Sequence, residues 1–133
     1  MALHHTKEGE NLYKLNNSSN TPLYLQIVEQ TKLAIAGGIL QDGDPMPSVR
    51  DLSKKLLVNT STVSKAYKQL SELGIIKSYP GVGTFVSLDK SKKNQEIEVT
   101  KMKLREIFTQ CRFLDISLDE IIEIYNESSK EIL

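Results

Sequence analysis

Between Ser48 and Leu73, apolar residues recur three and four positions apart in two short bursts. Val49, Leu52 and Leu56 form the first, and Val63, Ala66, Tyr67, Leu70 and Leu73 the second. That spacing stacks side chains on one face of a helix. Each burst has a start signal of its own: Ser48 with Asp51 three residues on is a variant capping box, and Asn59 is an N-cap for the second helix. Gly74 ends that helix. Ile75–Tyr79 and Thr84–Ser87 then flank Pro80-Gly81-Val82-Gly83, the pattern of a β-hairpin. Upstream, Thr21 caps and Pro22 opens a helix running to about Ala36, with Leu23, Tyr24, Ile27, Thr31 and Ile35 as its stripe and Gly37-Gly38 as its stop. Asp42-Gly43-Asp44-Pro45 reads as a turn. Downstream, Ile97, Leu104, Cys111 and Leu118 recur every seven residues, with Ile107 and Leu114 between them and Phe108 widening the stripe. Thr100 breaks the repeat, so no long zipper is expected. Ser117 with Glu120 is a capping box, Ile116 is placed to staple onto Ile121, and a last helix carries Leu118, Ile121, Ile122, Tyr125 and Ile132, with Ile124 off the stripe.

These elements predict a mainly α chain with a small β-hairpin, organised as a winged helix-turn-helix domain followed by a two-helix dimerisation tail. Residues 1–20 are polar and irregular and read as a flexible segment. The winged domain covers 21–89, with the helix-turn-helix at about 49–68, then a linker over 90–95 and the helical tail over 96–133. The expected core of the winged domain is Ile27, Ile35, Val49, Leu52, Leu56, Val63, Leu70 and Phe85. Two tail helices cannot bury their apolar surface on each other alone, and dimerisation is the simplest remedy. The residues expected in that interface are Ile97, Leu104, Ile107, Phe108, Cys111, Leu114, Ile121, Ile122, Ile124 and Tyr125. Cys111 lies on the stripe and reads as a core residue rather than a redox sensor.

The 133 residues carry no formal net charge, which by itself argues against a nucleic-acid partner. The distribution of charge points the other way. From Pro45 to Ser87 the cations Arg50, Lys54, Lys55, Lys65, Lys68 and Lys77 face only Asp51 and Glu72, while the chain from Asp89 onward is net acidic. A local basic face is what phosphate binding requires. No apolar run is long enough to span a membrane and no signal peptide pattern opens the chain. The lone Cys111 fits a reducing compartment, so the expected location is the cytoplasm. His4 and His5 read as solvated rather than metal-binding, and no metal or cofactor is expected. Nor is an enzyme: no histidine lies in the part expected to fold, and no carboxylate pair or nucleophile–base set is placed on a concave element.

Helix, turn, helix and two-stranded wing is a DNA-binding layout in which the second helix enters the major groove. Arg50 sits in the first turn of its helix, where a cation opposes the helix dipole, so a contact outside the protein explains it better than stability does. Ser61, Thr62 and Ser64 cluster in the first turns of the recognition helix, where base edges are reached, and Lys65 and Lys68 suit phosphates. Gly81-Val82-Gly83 lies between two strands rather than before a helix, so it is a hairpin tip at which backbone can approach DNA closely. Ser48, Asn59, Thr60, Gly81 and Gly83 complete the expected DNA-contacting set. The alternative is a winged-helix protein-interaction module without specific DNA binding, and the basic face with Arg50 weighs against it.

A family resemblance rests on Pro22-Leu23-Tyr24-Leu25-Gln26-Ile27, Gly43-Asp44, Pro47-Ser48-Val49-Arg50-Asp51-Leu52, Thr62-Val63-Ser64-Lys65-Ala66-Tyr67 and Gly81-Val82-Gly83-Thr84-Phe85-Val86. Over roughly residues 21–89 the chain resembles the GntR family of bacterial transcription regulators. Asn59, the Ala66-Tyr67 pair and the short tail are most similar to its YtrA-like subgroup. The resemblance implies a transcription repressor that binds a palindromic operator in double-stranded DNA as a homodimer, with Arg50 touching DNA, a helical dimerisation tail and a neighbouring transporter operon. The tail is too small to enclose a metabolite in one subunit, so any effector binds between subunits. The chain departs from the family pattern in two places. Leu57 stands where many members have glycine between the helices, and a left-handed backbone there costs about 1–2 kcal/mol for a residue with a Cβ. Thr60 and Ser64 stand where many relatives carry arginine, so the operator sequence stays open and hydroxyls, water and DNA shape carry more of the reading.

Overall fold

A computed structural model of the chain describes residues 12–130 and divides into two compact units, one ending at Lys90 and one beginning at Ser91. The first unit holds helix α1 (Leu23–Ala36), strand β1 (Pro45–Met46), helices α2 (Val49–Leu56) and α3 (Thr60–Glu72), and strands β2 (Ile76–Tyr79) and β3 (Gly83–Val86). The second is built from α4 (Lys90–Phe113) and α5 (Leu118–Lys130). The expectations at His4, His5 and Ile132 lie outside the described residues.

Helix α3 is the hub of the first unit. Both α1 and α2 pack against it, and β2 packs behind it. Ile27 and Val28 of α1, Leu52 of α2, Val63 and Leu70 of α3 and Val86 of β3 are the most deeply buried apolar side chains. Ile35, Val49 and Leu56 are half-buried at the margin of this core. Phe85, expected inside, is not. Its neighbour Val86 is the buried residue, because side chains alternate across a strand and Val86 shares the inner face with its register partner Ile76. Phe85 lies on the outer face beside Tyr79, their ring centroids 6.1 Å apart.

The sheet has three strands, not the two of a lone hairpin, in the order β1-β3-β2. Pro45 pairs with Phe85 and Met46 with Thr84, and Gly43 N–H donates to the Val86 carbonyl at 2.8 Å. Two residues with a proline carry no alternation to announce a strand, so the stretch reads as a turn in the sequence. The edge position tolerates a residue that lacks an N–H.

Residues 12–20, expected to be flexible, are laid along α1. The Gln26 side chain accepts from Asn16 N–H at 2.8 Å and donates to the Asn16 and Thr21 carbonyls, both at 2.9 Å. One turn later Gln30 exchanges a pair of bonds with the Lys14 backbone, at 2.8 and 2.9 Å. Side-chain amides of α1 thus supply hydrogen-bond partners for the backbone of Lys14 and Asn16. Tyr13 is buried, its hydroxyl 2.7 Å from Thr31 Oγ1, and Thr31 donates to the Ile27 carbonyl. None of this has a periodic signature. Thr21 also does not cap α1; Pro22 holds that position, and its carbonyl accepts from Gln26 N–H.

In the second unit the residues expected as linker, 90–95, are the first turns of α4. Lysine, glutamine and serine there sustain a helix without an apolar stripe to reveal it. The α4–α5 corner follows the sequence. Ser117 Oγ accepts from Glu120 N–H at 3.2 Å while the Glu120 carboxylate accepts from Ser117 N–H at 3.1 Å. Asp115 takes a left-handed conformation and Ile116 N–H reaches back to the Cys111 carbonyl.

Burial pushes the Tyr13 phenol up to about 12, against a smaller opposing effect of its bond to Thr31. Burial raises Tyr67 as well, with the neighbouring Tyr13 adding to it. A phenol titrates near 10 in an unfolded chain, so these raised groups favour folding fully below pH 10 and lose that contribution as pH climbs through the folded value. Each therefore removes about 1.4 kcal/mol of stability per pH unit across the window above 10. Urea unfolding measured between pH 9 and 12 is expected to show this decline, with a shallower slope for Tyr13→Phe.

Candidate nucleic-acid interface

Helix α3 is divided along its length. Val63, Ala66, Tyr67 and Leu70 are buried, whereas Ser61, Ser64, Lys65 and Lys68 are exposed. The exposed four stand at i, i+3, i+4 and i+7, one continuous row on the side away from the core. Two hydroxyls and two ammonium groups therefore project from a rigid element whose opposite face is anchored. Thr62, expected in this row, lies at its flank and is half-buried; Thr60, at the helix start, is exposed. Lys65 is held rather than loose, its Nζ 4.2 Å from the centroid of the Tyr24 ring. That cation–π contact places an α1 side chain beside the row. Periodicity alone assigns Tyr24 only to the apolar stripe.

Arg50 is exposed near the start of α2, and among the described residues its guanidinium has neither a hydrogen bond nor an ion pair. Ser48 caps the helix, its Oγ accepting from Asp51 N–H at 3.0 Å, which leaves the hydroxyl proton for an outside acceptor. Asn59 holds the N-cap position of α3 but caps through its backbone: its carbonyl accepts from Thr62 and Val63 N–H, and the side-chain amide makes no cap bond. The amide thus stays on the exposed surface next to Thr60 and Ser61.

The turn between α2 and α3 keeps the left-handed geometry that glycine usually supplies. Leu57 has φ 56 and ψ 46. Its N–H donates to the Lys54 carbonyl and Val58 N–H to the Ser53 carbonyl at 3.1 Å, a Schellman closure that ends α2 in the space available. Leu57 is 91% exposed, so the side chain returns nothing to the core for the strain.

At the wing tip Val82 N–H donates to the Tyr79 carbonyl at 2.9 Å, with Pro80 and then Gly81 in the central positions. Gly81 has φ +75, the left-handed second position that a proline-led turn of this kind demands. The tip, Gly81-Val82-Gly83, is exposed, and Lys77 extends the cationic surface on the outer face, its Nζ 5.5 Å from the Tyr79 ring centroid. Ser48, Arg50, Asn59, Thr60, Ser61, Ser64, Lys65, Lys68 and the hairpin all belong to the first unit and all are exposed at least in part. The residues expected at a dimer interface belong to the second unit. No α4 residue is buried, and Ile97, Leu104, Ile107, Phe108, Leu114, Ile122, Ile124 and Tyr125 are all exposed, with Cys111 and Ile121 half-buried.

The sequence profile described as "Bacterial regulatory proteins, gntR family" matches residues 23–86, from the start of α1 to the end of the wing. The HTH-type transcriptional repressor YtrA of Bacillus subtilis is 33% identical over 123 residues, covering 91% of this chain and 95% of that protein. The chain belongs to the GntR family. Within it, near end-to-end similarity to the repressor YtrA supports the YtrA-like subgroup. Two solved structures extend the likeness to the fold. A transcriptional antiterminator from Listeria monocytogenes aligns with a TM-score of 0.79 at 32% identity over 90% of this chain and 91% of its own. The DNA-binding domain of AraR in complex with operator ORX1 aligns with a TM-score of 0.50 at 28% identity, over 56% of this chain and 92% of its own. This GntR protein is accordingly a transcription regulator with a winged helix, not an enzyme. Among its described residues no helix is long and apolar enough to cross a membrane.

Replacing Leu57 with glycine relieves about 1–2 kcal/mol of left-handed strain at a cost of about 0.5–1 kcal/mol in backbone entropy. Leu57→Gly is expected to raise unfolding free energy by about 0.5–1 kcal/mol, whereas Leu57→Ala, which keeps the Cβ, gives no gain. Urea midpoints of the three proteins decide it.

Proposed function

We propose that this GntR protein is a repressor that binds a palindromic operator in double-stranded DNA as a homodimer. The observation that carries the reading is the exposed row Ser61, Ser64, Lys65 and Lys68 on α3, with the unpartnered Arg50 on α2, fixed to a common core. Lysines there neutralise phosphates while hydroxyls and Arg50 meet base edges or backbone oxygens. The wing tip and Lys77 lie over the adjoining backbone. Arginines being absent at Thr60 and Ser64, discrimination leans on hydroxyls, bridging water and the deformability of the site. The subgroup resemblance extends the reading to a transporter operon as the regulated genes.

The apolar tail supports the dimer. The tail of a single chain leaves Ile107 of α4 52% and Tyr125 of α5 73% exposed. A two-fold interface that buries such stripes sets two recognition helices about one DNA turn, or a multiple of it, apart. Each half-site then meets its protein at a raised effective concentration, a gain of about 10²–10⁴ in affinity with no new base contact.

Two measurements check the reading. Arg50→Ala is expected to weaken operator binding by about 1–3 kcal/mol with melting unchanged, and Lys68→Ala to weaken operator and random duplex alike and flatten the salt slope by about one. Anisotropy titrations across salt concentrations read both. An affinity for the best selected site within about threefold of that for random duplex at physiological salt contradicts specific regulation. For the dimer, a chain ending at Ser91 should stay folded around its own core, scatter light as a monomer and lose most affinity for the full operator while keeping that for a half-site. A truncated chain that remains dimeric places the interface elsewhere.

A further inference from the structure

Tyr67 does more than fill the core. Its ring lies on the buried face of α3 with Val63, Ala66 and Leu70, and its hydroxyl donates to the Pro47 carbonyl at 2.7 Å. Pro47 sits at the corner between the end of β1 and the start of α2, outside both elements. The next residue, Ser48, caps α2, and Arg50 follows two positions later. On one side of the corner, Met46 is fixed by pairing with Thr84; on the other, Leu52 is fixed in the core. Between them the chain leans on α3 through the phenol. Leucine or phenylalanine would supply the packing at this point in the helix, so the hydroxyl is accounted for by the corner. Burial keeps that phenol protonated, and hence a donor, at any ordinary pH.

We propose that the Tyr67 hydroxyl is a positioning residue for operator recognition: it sets the start of α2, and with it Arg50, against the exposed row of α3. The idea rests on the reading of α2 and α3 as the DNA-contacting pair. A donor on the recognition helix itself ties the arginine to the element whose hydroxyls must meet the same stretch of DNA. Without the bond, Arg50 keeps its charge but loses its register against Ser61, Ser64 and Lys68. Specific binding then suffers, while attraction to any duplex persists.

The test uses full-length protein with Tyr67→Phe, which keeps the ring and its apolar contacts and removes only the hydroxyl. Affinities for selected operator and random duplex are measured for the wild type, Tyr67→Phe, Arg50→Ala and the double variant, with melting recorded for each. Tyr67→Phe is expected to lower operator affinity about 3–10-fold, with affinity for random duplex and the salt slope unchanged. In the Arg50→Ala background the same change is expected to have almost no further effect. Hydrogen exchange at the amides of residues 48–51 should quicken in Tyr67→Phe. Fully additive losses, or equal loss on operator and random duplex, overturn the positioning role while leaving the repressor reading intact. A wild type that shows no preference for any selected site overturns both.

Discussion

Burial of Val63, Ala66, Tyr67 and Leu70 in the interior of the first unit is the contact on which the other elements depend. Helices α1 and α2 find their apolar partner there, and β2 closes the core behind it. A 13-residue helix with serines, threonines and lysines over much of its surface has little reason to persist alone in water. Anchored along one face, it becomes a rigid rail whose other face is free. The buried face thereby fixes which residues point outward, and Ser61, Ser64, Lys65 and Lys68 are exposed because Val63, Ala66, Tyr67 and Leu70 are not.

Secondary contacts refine that outward face. The Tyr24 ring receives the Lys65 ammonium, and the Tyr67 hydroxyl ties the corner before α2 to the same helix. Gln26 and Gln30 hold the backbone of Lys14 and Asn16 along α1, and Tyr13 closes over Thr31. Each links segments far apart in the chain by a polar group whose partner is backbone, ring or hydroxyl. Such bonds are individually modest, about 0.5–1.5 kcal/mol. The Tyr24 and Tyr67 contacts hold Lys65 and the corner before α2, and the Gln26, Gln30 and Tyr13 contacts hold residues 13–16 against α1.

The second unit follows a different logic. The corner between its helices is well defined, with Ser117 and Glu120 capping α5 and Asp115 turning the chain, yet α4 buries no residue. Local signals make the helices, and the apolar stripes remain unspent. In the first unit the corresponding stripes converge on one core. That contrast between a finished unit and an unfinished one underlies the proposal that two copies of the chain complete each other.

Much of this was legible in the residues because it is local. Helix periodicity, the Ser48 and Ser117 caps and the Pro80-Gly81 turn each depend on neighbours within a few positions, and all stand where expected. The cationic bias from Arg50 to Lys77 was visible for the same reason, as was the family resemblance. What the tertiary structure alone decided involves partners distant in sequence. Strand β1 exists because β3 offers it an edge, Tyr13 is buried because Thr31 lies beneath it, and Leu57 holds a left-handed turn because α2 and α3 are both pinned to the core. Phe85 and Val86 are adjacent and both apolar, and no count of hydrophobic positions distinguishes them. The register against Ile76 does, since it assigns opposite faces of the sheet to successive residues.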